Sequence, residues 1–84
     1  MEEALELVVE TLRRLARERI LPHDITTMPL TAATAIDDLG VDSVGKLNFI
    51  SELEERADVP ISEGSLQGRK TLGDLAAMLV ELRK

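Results

Sequence analysis

Cysteine is absent from the 84 residues, so no disulfide, thiolate nucleophile or sulfur-ligated metal can be built from this chain. Aromatic side chains are nearly absent too: Phe49 is the only one, which leaves an aliphatic core of Leu, Val, Ile and Ala. The single histidine, His23, stands beside Pro22 in an expected surface turn and reads as structural. With one histidine, no cysteine and no acids in calcium-loop spacing, a metal has no ligand set. A Ser-His-Asp site would require His23 to be delivered from that turn to a serine. Neither Gly-x-Ser-x-Gly nor a glycine-rich phosphate-cradling loop occurs. The chain is therefore expected not to be an enzyme. No apolar run approaches the roughly 18–20 residues needed to cross a bilayer. The opening Met1-Glu2-Glu3 lacks the basic start of a secretory signal. These absences predict no membrane insertion and a cytoplasmic location.

What is present bounds a single small domain spanning residues 1–84, with charged residues at 31% and hydrophobic ones at 44%. Net charge is −6 and unevenly spread. Residues 1–24 hold six acids and four bases, 37–58 seven acids and two bases, and 59–84 three acids and four bases. The central segment thus supplies most of the negative field. Such a surface repels nucleic acid and steers basic patches of partner proteins toward it.

Apolar spacing predicts a first helix from about Glu2 to Arg19, with Leu5, Val8, Val9, Leu12, Leu15 and Ala16 on one stripe. Glu2, Glu3 and Glu6 at its start and Arg13, Arg14, Arg17 and Arg19 at its end match the helix dipole. The arginines read as a solvated face, with Glu10 and Arg14 paired one turn apart. Pro22 ends this helix, and a long connection runs to about Val41. A structureless loop of that length needs anchors, for which Ile25, Leu30, Ile36, Leu39 and Val41 are the candidates. One helical turn is expected near Thr31–Asp37.

A second helix is predicted over Ser43–Ala57, with Val44, Leu47, Ile50, Leu53 and Ala57 as the apolar stripe and Phe49 beside it. Gly45 in its first turn leaves room for a close approach by a partner or by a group attached nearby. Asp58-Val59-Pro60-Ile61 breaks it. One short helical turn is expected within Ser62–Gly68, with Leu66 inward. Thr71 and Asp74 form a capping-box variant before a last helix over Leu72–Leu82. That helix is expected to bury Leu72, Leu75, Ala76, Leu79 and Leu82, widened by Met78 and Val80. The fold class is all-α: a small three-to-four-helix bundle with a long loop between the first two helices.

Ser43 is the residue that stands out. It places a hydroxyl at a helix start, where first-turn amides lack partners and the dipole favours negative charge, so a phosphate ester is well tolerated. Taken alone, Asp42 or Ser43 serves equally well as an N-cap.

The run Leu39-Gly40-Val41-Asp42-Ser43-Val44, followed by Leu47, Phe49, Ile50, Leu53, Glu54 and Glu55, closely resembles the acyl carrier protein family. The likeness continues through Val59-Pro60-Ile61 and Thr71-Leu72-Gly73-Asp74-Leu75. This resemblance implies that Ser43 is the attachment point of 4′-phosphopantetheine, transferred from coenzyme A by a phosphopantetheinyl transferase. The arm would then supply the thiol that the sequence lacks. Asp42 would define the turn and the transferase's recognition surface. Val44, Lys46, Leu47, Glu54 and Glu55 would lie on the face that docks acyl-loading, acyl-transfer or synthase enzymes through their basic patches. Where the family often carries acids in the first two turns of this helix, Gly45, Lys46 and Asn48 stand here. That departure points away from bulk fatty acid synthesis and toward a specialised fatty acid, lipid or polyketide carrier, acting as a monomer. An aminoacyl or peptidyl carrier shares the same fold and arm. A helical interaction module with no prosthetic group is the alternative of another class.

Overall fold

The computed structural model describes residues 2–83. Its helices are α1 (Glu2–Arg17), α2 (Ser43–Ala57), α3 (Glu63–Leu66) and α4 (Leu72–Leu82), with single 3-10 turns at His23–Thr26 and Ile36–Leu39. Among the described residues the only β-type pairing is an isolated bridge between Ala35 and Thr71. No described helix is long and apolar enough to cross a membrane.

Helix α1 is the central element. It packs against both α4 and α2, and against the 3-10 turn at His23–Thr26. Val8, Leu12, Leu15 and Ala16 are buried as their spacing predicts, whereas Leu5 and Val9 are half-buried at the edge. Thr11 is fully buried on the same face, and its hydroxyl donates to the Leu7 carbonyl at 2.7 Å, so burial leaves no polar atom unpaired. The helix stops at Arg17, before the expected Arg19. Arg19 itself adopts the left-handed region (φ 62°), and the Ile20 amide donates back to the Leu15 carbonyl at 2.9 Å. This is a Schellman-type stop with arginine where glycine is usual.

The arginine-rich end of α1 is only partly a solvated face. Arg14 pairs with Glu18 at 3.3 Å, not with Glu10. Arg13 is half-buried, and its guanidinium donates to the carbonyls of Ile25 (3.3 Å), Thr26 (3.0 Å) and Met28 (3.4 Å). It thereby satisfies loop carbonyls that would otherwise lie idle against the helix. Leu21, Ile25, Ile36 and Leu39 are buried and pin the long connection, with Leu30 and Val41 packed partly against the core. The helical turn expected near Thr31–Asp37 forms later, at Ile36–Leu39. Three backbone bonds then tie the connection to the start of α4: Ile36 N–H to Lys70 C=O, Leu72 N–H to Thr34 C=O, and Gly73 N–H to Ala32 C=O, all 2.9–3.0 Å.

Helix α2 has the predicted bounds but a different inward face. Gly45, Phe49, Ile50, Leu53 and Ala57 are buried, while Val44 and Leu47 are 67% and 71% exposed. Gly45, Phe49, Leu53 and Ala57 recur every four residues along this inward face. A Cβ on Gly45 would come within 3.0–3.1 Å of Leu21, Val41 and the Asp42 carboxylate, so the glycine lies close against the loop. It therefore makes room for the loop, not for a partner. Helix α4 starts with a complete capping box. It buries Leu72, Leu75, Ala76, Met78 and Leu79, whereas Leu82 is half-buried and Val80 exposed.

Candidate functional site

The 3-10 turn Ile36–Leu39 ends at Gly40, whose φ of 68° lets the chain reverse into Val41 and Asp42. Leu39 is buried and fixes this approach. Asp42, extended at φ −80° and ψ −179°, is the N-cap of α2. Its Oδ1 accepts from the Gly45 amide at 2.7 Å, and its carbonyl accepts from the Lys46 amide at 2.9 Å. The choice left open by the sequence is thus resolved: Asp42 caps, and Ser43 is the first helical residue. Ser43 is exposed, and its hydroxyl has no hydrogen-bond partner among the described residues. The amides of Ser43 and Val44 have none there either, as befits the first turn of a helix.

The chain has four serines, and their settings differ. Ser62 caps the single-turn α3 by accepting from the Ser65 amide at 3.2 Å, and the two hydroxyls lie 3.1 Å apart. Ser51 lies in the interior of α2, where every amide already serves the helix. Only Ser43 combines an uncommitted hydroxyl with the open end of a long helix. Ser43 is exposed and the first two amides of its helix are unpaired among the described residues, so the residues present fit a phosphate-linked group.

Beside Ser43 an open groove of about 690 Å³ runs between α2 and α3. Leu47, Ile50, Ile61 and Leu66 are its apolar lining residues, and Lys46, Glu54 and Glu63 its charged ones. Leu66 reaches this groove half-buried, close to its expected inward position. No groove role is expected of Ile61 or Glu63 from the sequence, because no local spacing signals that the segment after Pro60 folds back along α2. The tie is tertiary: Glu54 Oε2 accepts from the Ile61 amide at 3.0 Å.

The residues assigned to a docking face are not all alike. Val44, Lys46, Leu47 and Glu55 are exposed on α2, next to Ser43 at one end and reaching Glu55 a little over three turns on. Glu54 is half-buried and committed to Ile61, so it braces the groove. Among the described residues no cluster of three metal-ligating side chains occurs.

Comparison with known proteins agrees with this geometry. The family described as "Phosphopantetheine attachment site" matches residues 5–79. An acyl carrier protein of Streptococcus pyogenes serotype M1 is 32% identical over 83 residues, covering 99% of this chain and 95% of that protein. One of Clostridium perfringens (strain 13 / Type A) is 39% identical over 49 residues, 58% of this chain and 64% of the relative. A probable acyl carrier protein of Caulobacter vibrioides is 41% identical over 46 residues, 55% of this chain and 54% of the relative. The match thus spans less than two thirds of the Clostridium and Caulobacter proteins and nearly all of the Streptococcus one. No solved structure gives a significant match. A motif around Ser43, a helical fold to hold it and a family match across most of the chain lead to one conclusion: this chain belongs to the acyl carrier protein family, non-catalytic carriers of a covalently attached 4′-phosphopantetheine group.

Proposed function

We infer that Ser43 is the residue that bears 4′-phosphopantetheine and that the chain, as a single monomeric carrier domain, shuttles acyl groups between enzymes. The observation that carries this reading is the division of labour at the start of α2. Asp42 takes over the capping bond, which leaves the Ser43 hydroxyl exposed and unpaired at the positive end of the helix. When bound, the group supplies the thiol that this cysteine-free chain lacks, and with it thioester chemistry.

The chain's own residues do the rest. Asp42 holds the turn that presents Ser43 to a phosphopantetheinyl transferase. Val44 and Leu47 offer apolar contact beside the tether, and Glu55 extends the acidic field that steers partners with basic patches. Tethering raises the effective concentration of cargo at each docked active site, because delivery becomes intramolecular. Lys46 interrupts the acidic surface close to the tether, which favours a dedicated synthase, ligase or acyltransferase in a specialised fatty acid, lipid or polyketide pathway.

The test is intact mass after incubation with coenzyme A and a broad-specificity transferase. The wild-type chain is expected to gain one phosphopantetheine group and Ser43→Ala none. Loading of the holo protein by acyltransferases, and not by amino-acid-adenylating enzymes, is expected to follow. An unmodified wild-type chain that retains its helical circular dichroism would overturn the reading.

A further inference from the structure

We propose that Lys46 is the positioning residue for the tether: its ammonium pairs with the phosphodiester on Ser43 and holds the root of the arm over the groove between α2 and α3. The proposal rests on the assignment of Ser43 as the attachment point. Lys46 follows Ser43 by three residues on α2, a rise of about 4.5 Å and a turn of about 60° back around the axis, so the two side chains are surface neighbours. Both line the same groove.

Lys46 is also uncommitted. The chain carries 16 acids against 10 bases, yet Lys46 forms no ion pair within 4.0 Å among the described residues. The two carboxylates best placed to claim it do not. Asp42, one turn before it, spends Oδ1 on the Gly45 amide at 2.7 Å. Glu63, across the adjoining depression, shares that lining with Lys46 without an ion pair. Beyond its cap residue Asp42, the first turn of α2 contains no acid. The only other cation of α2, Arg56, is bonded to Glu52 at 3.2 Å, far along the helix.

An anion added at Ser43 therefore finds one exposed cation beside it, without an ion pair among the described residues, in a segment that is otherwise strongly acidic. The pairing leans the arm toward the Lys46 side of Ser43, where the groove lies, and away from the Val44 side, which faces solvent. It also cancels locally the charge that modification adds to a chain already at −6.

The experiment uses holo protein, with attachment to Ser43 first confirmed by mass. Phosphorus-31 spectra are recorded for wild type, Lys46→Gln and Lys46→Arg in about 10 mM and about 1 M salt, where charges are felt over about 30 Å and about 3 Å. Nuclear Overhauser contacts from the Lys46 side-chain methylenes to the arm are recorded alongside. Lys46 is exposed, so both variants are expected to keep the wild-type circular dichroism. The phosphorus resonance is expected to move in Lys46→Gln and to stay near the wild-type position in Lys46→Arg. High salt should shift the wild-type signal toward that of Lys46→Gln, and the variant should lose the salt response. Contacts from Lys46 to the pantetheine methylenes complete the expected result. Normal loading with superimposable wild-type and Lys46→Gln spectra at both salts, or Lys46 contacts to Glu63 alone, overturns the proposal and leaves the Ser43 assignment standing. Failure to load overturns both.

Discussion

Two adjacent side chains at the start of α2 have separate tasks, and the separation can be measured. Asp42 supplies the acceptor that the Gly45 amide needs, while Ser43 keeps its hydroxyl in solvent. Removing the carboxylate by Asp42→Ala is expected to cost about 1 kcal/mol, the usual loss for an N-cap. For a domain of this size that corresponds to a fall of roughly 4–8 °C in melting temperature. Thermal denaturation of the unmodified protein checks it, and an unchanged midpoint would mean that the cap bond contributes nothing net. Much of this site was legible as residue types: Asp42 and Ser43 before a helical pattern, with Leu39 and Val41 to hold the turn. Which of the two caps was not legible, because both residue types do so and the choice depends on backbone geometry upstream at Gly40.

Among the elements, α4 and its approach segment carry the clearest structural tests. Asp74 accepts from the amides of Lys70 (2.9 Å) and Thr71 (3.1 Å), and these bonds hold its carboxyl below the ordinary aspartate value of 3.8. A carboxyl whose pKa is lower in the folded chain contributes stability above its unfolded pKa and loses it as pH falls through the folded value. Wild type is therefore expected to be more stable than Asp74→Asn at neutral pH, with the gap closing as pH drops below about 3.8. Paired denaturant titrations at neutral and acid pH read that gap, and a constant difference would contradict the assignment. Gly73 is the second test. A Cβ there would stand 2.9 Å from the Ala32 carbonyl oxygen, which the Gly73 amide needs as its acceptor. Gly73→Ala is expected to destabilise by about 1–3 kcal/mol, as overpacking does, even though alanine is the better helix former. A stabilised variant would show that the connection is free to move away from α4.

Element bounds show what local chemistry can and cannot announce. Helices α2 and α4 match their predicted limits because an N-cap residue opens each and Pro60 lies close behind the first. The end of α1 was misplaced since its stop uses Arg19 in the left-handed region, where glycine would have given the signal. Val44 and Leu47 were placed on the apolar stripe by spacing alone. Periodicity gives a glycine no weight, yet Gly45 lies on the buried face of α2 with Phe49, Leu53 and Ala57. Arg13 and Glu54 looked like surface charge, and both turn out to hold backbone groups of segments distant in sequence. Such bonds depend on tertiary approach, which no short window of sequence reveals.

As a whole molecule, 33 × 22 × 21 Å across, the chain gathers its buried hydrophobic cluster around α1 and leaves one face of α2 exposed. The long connection is held by Arg13, by four buried side chains and by its bonds to α4, so the turn that presents Ser43 rests on the core at both ends. The two large hydrophobic side chains most exposed among the described residues, Val44 and Leu47, lie within about one turn of Ser43. That placement fits a carrier whose function lies in what it holds and whom it meets. The most direct test is to load the protein with coenzyme A and a transferase, digest it, and locate the added group by fragmentation mass spectrometry. The account predicts the whole gain on the peptide fragment containing Ser43; a group on Ser51, Ser62 or Ser65, or no gain on a folded chain, would contradict it.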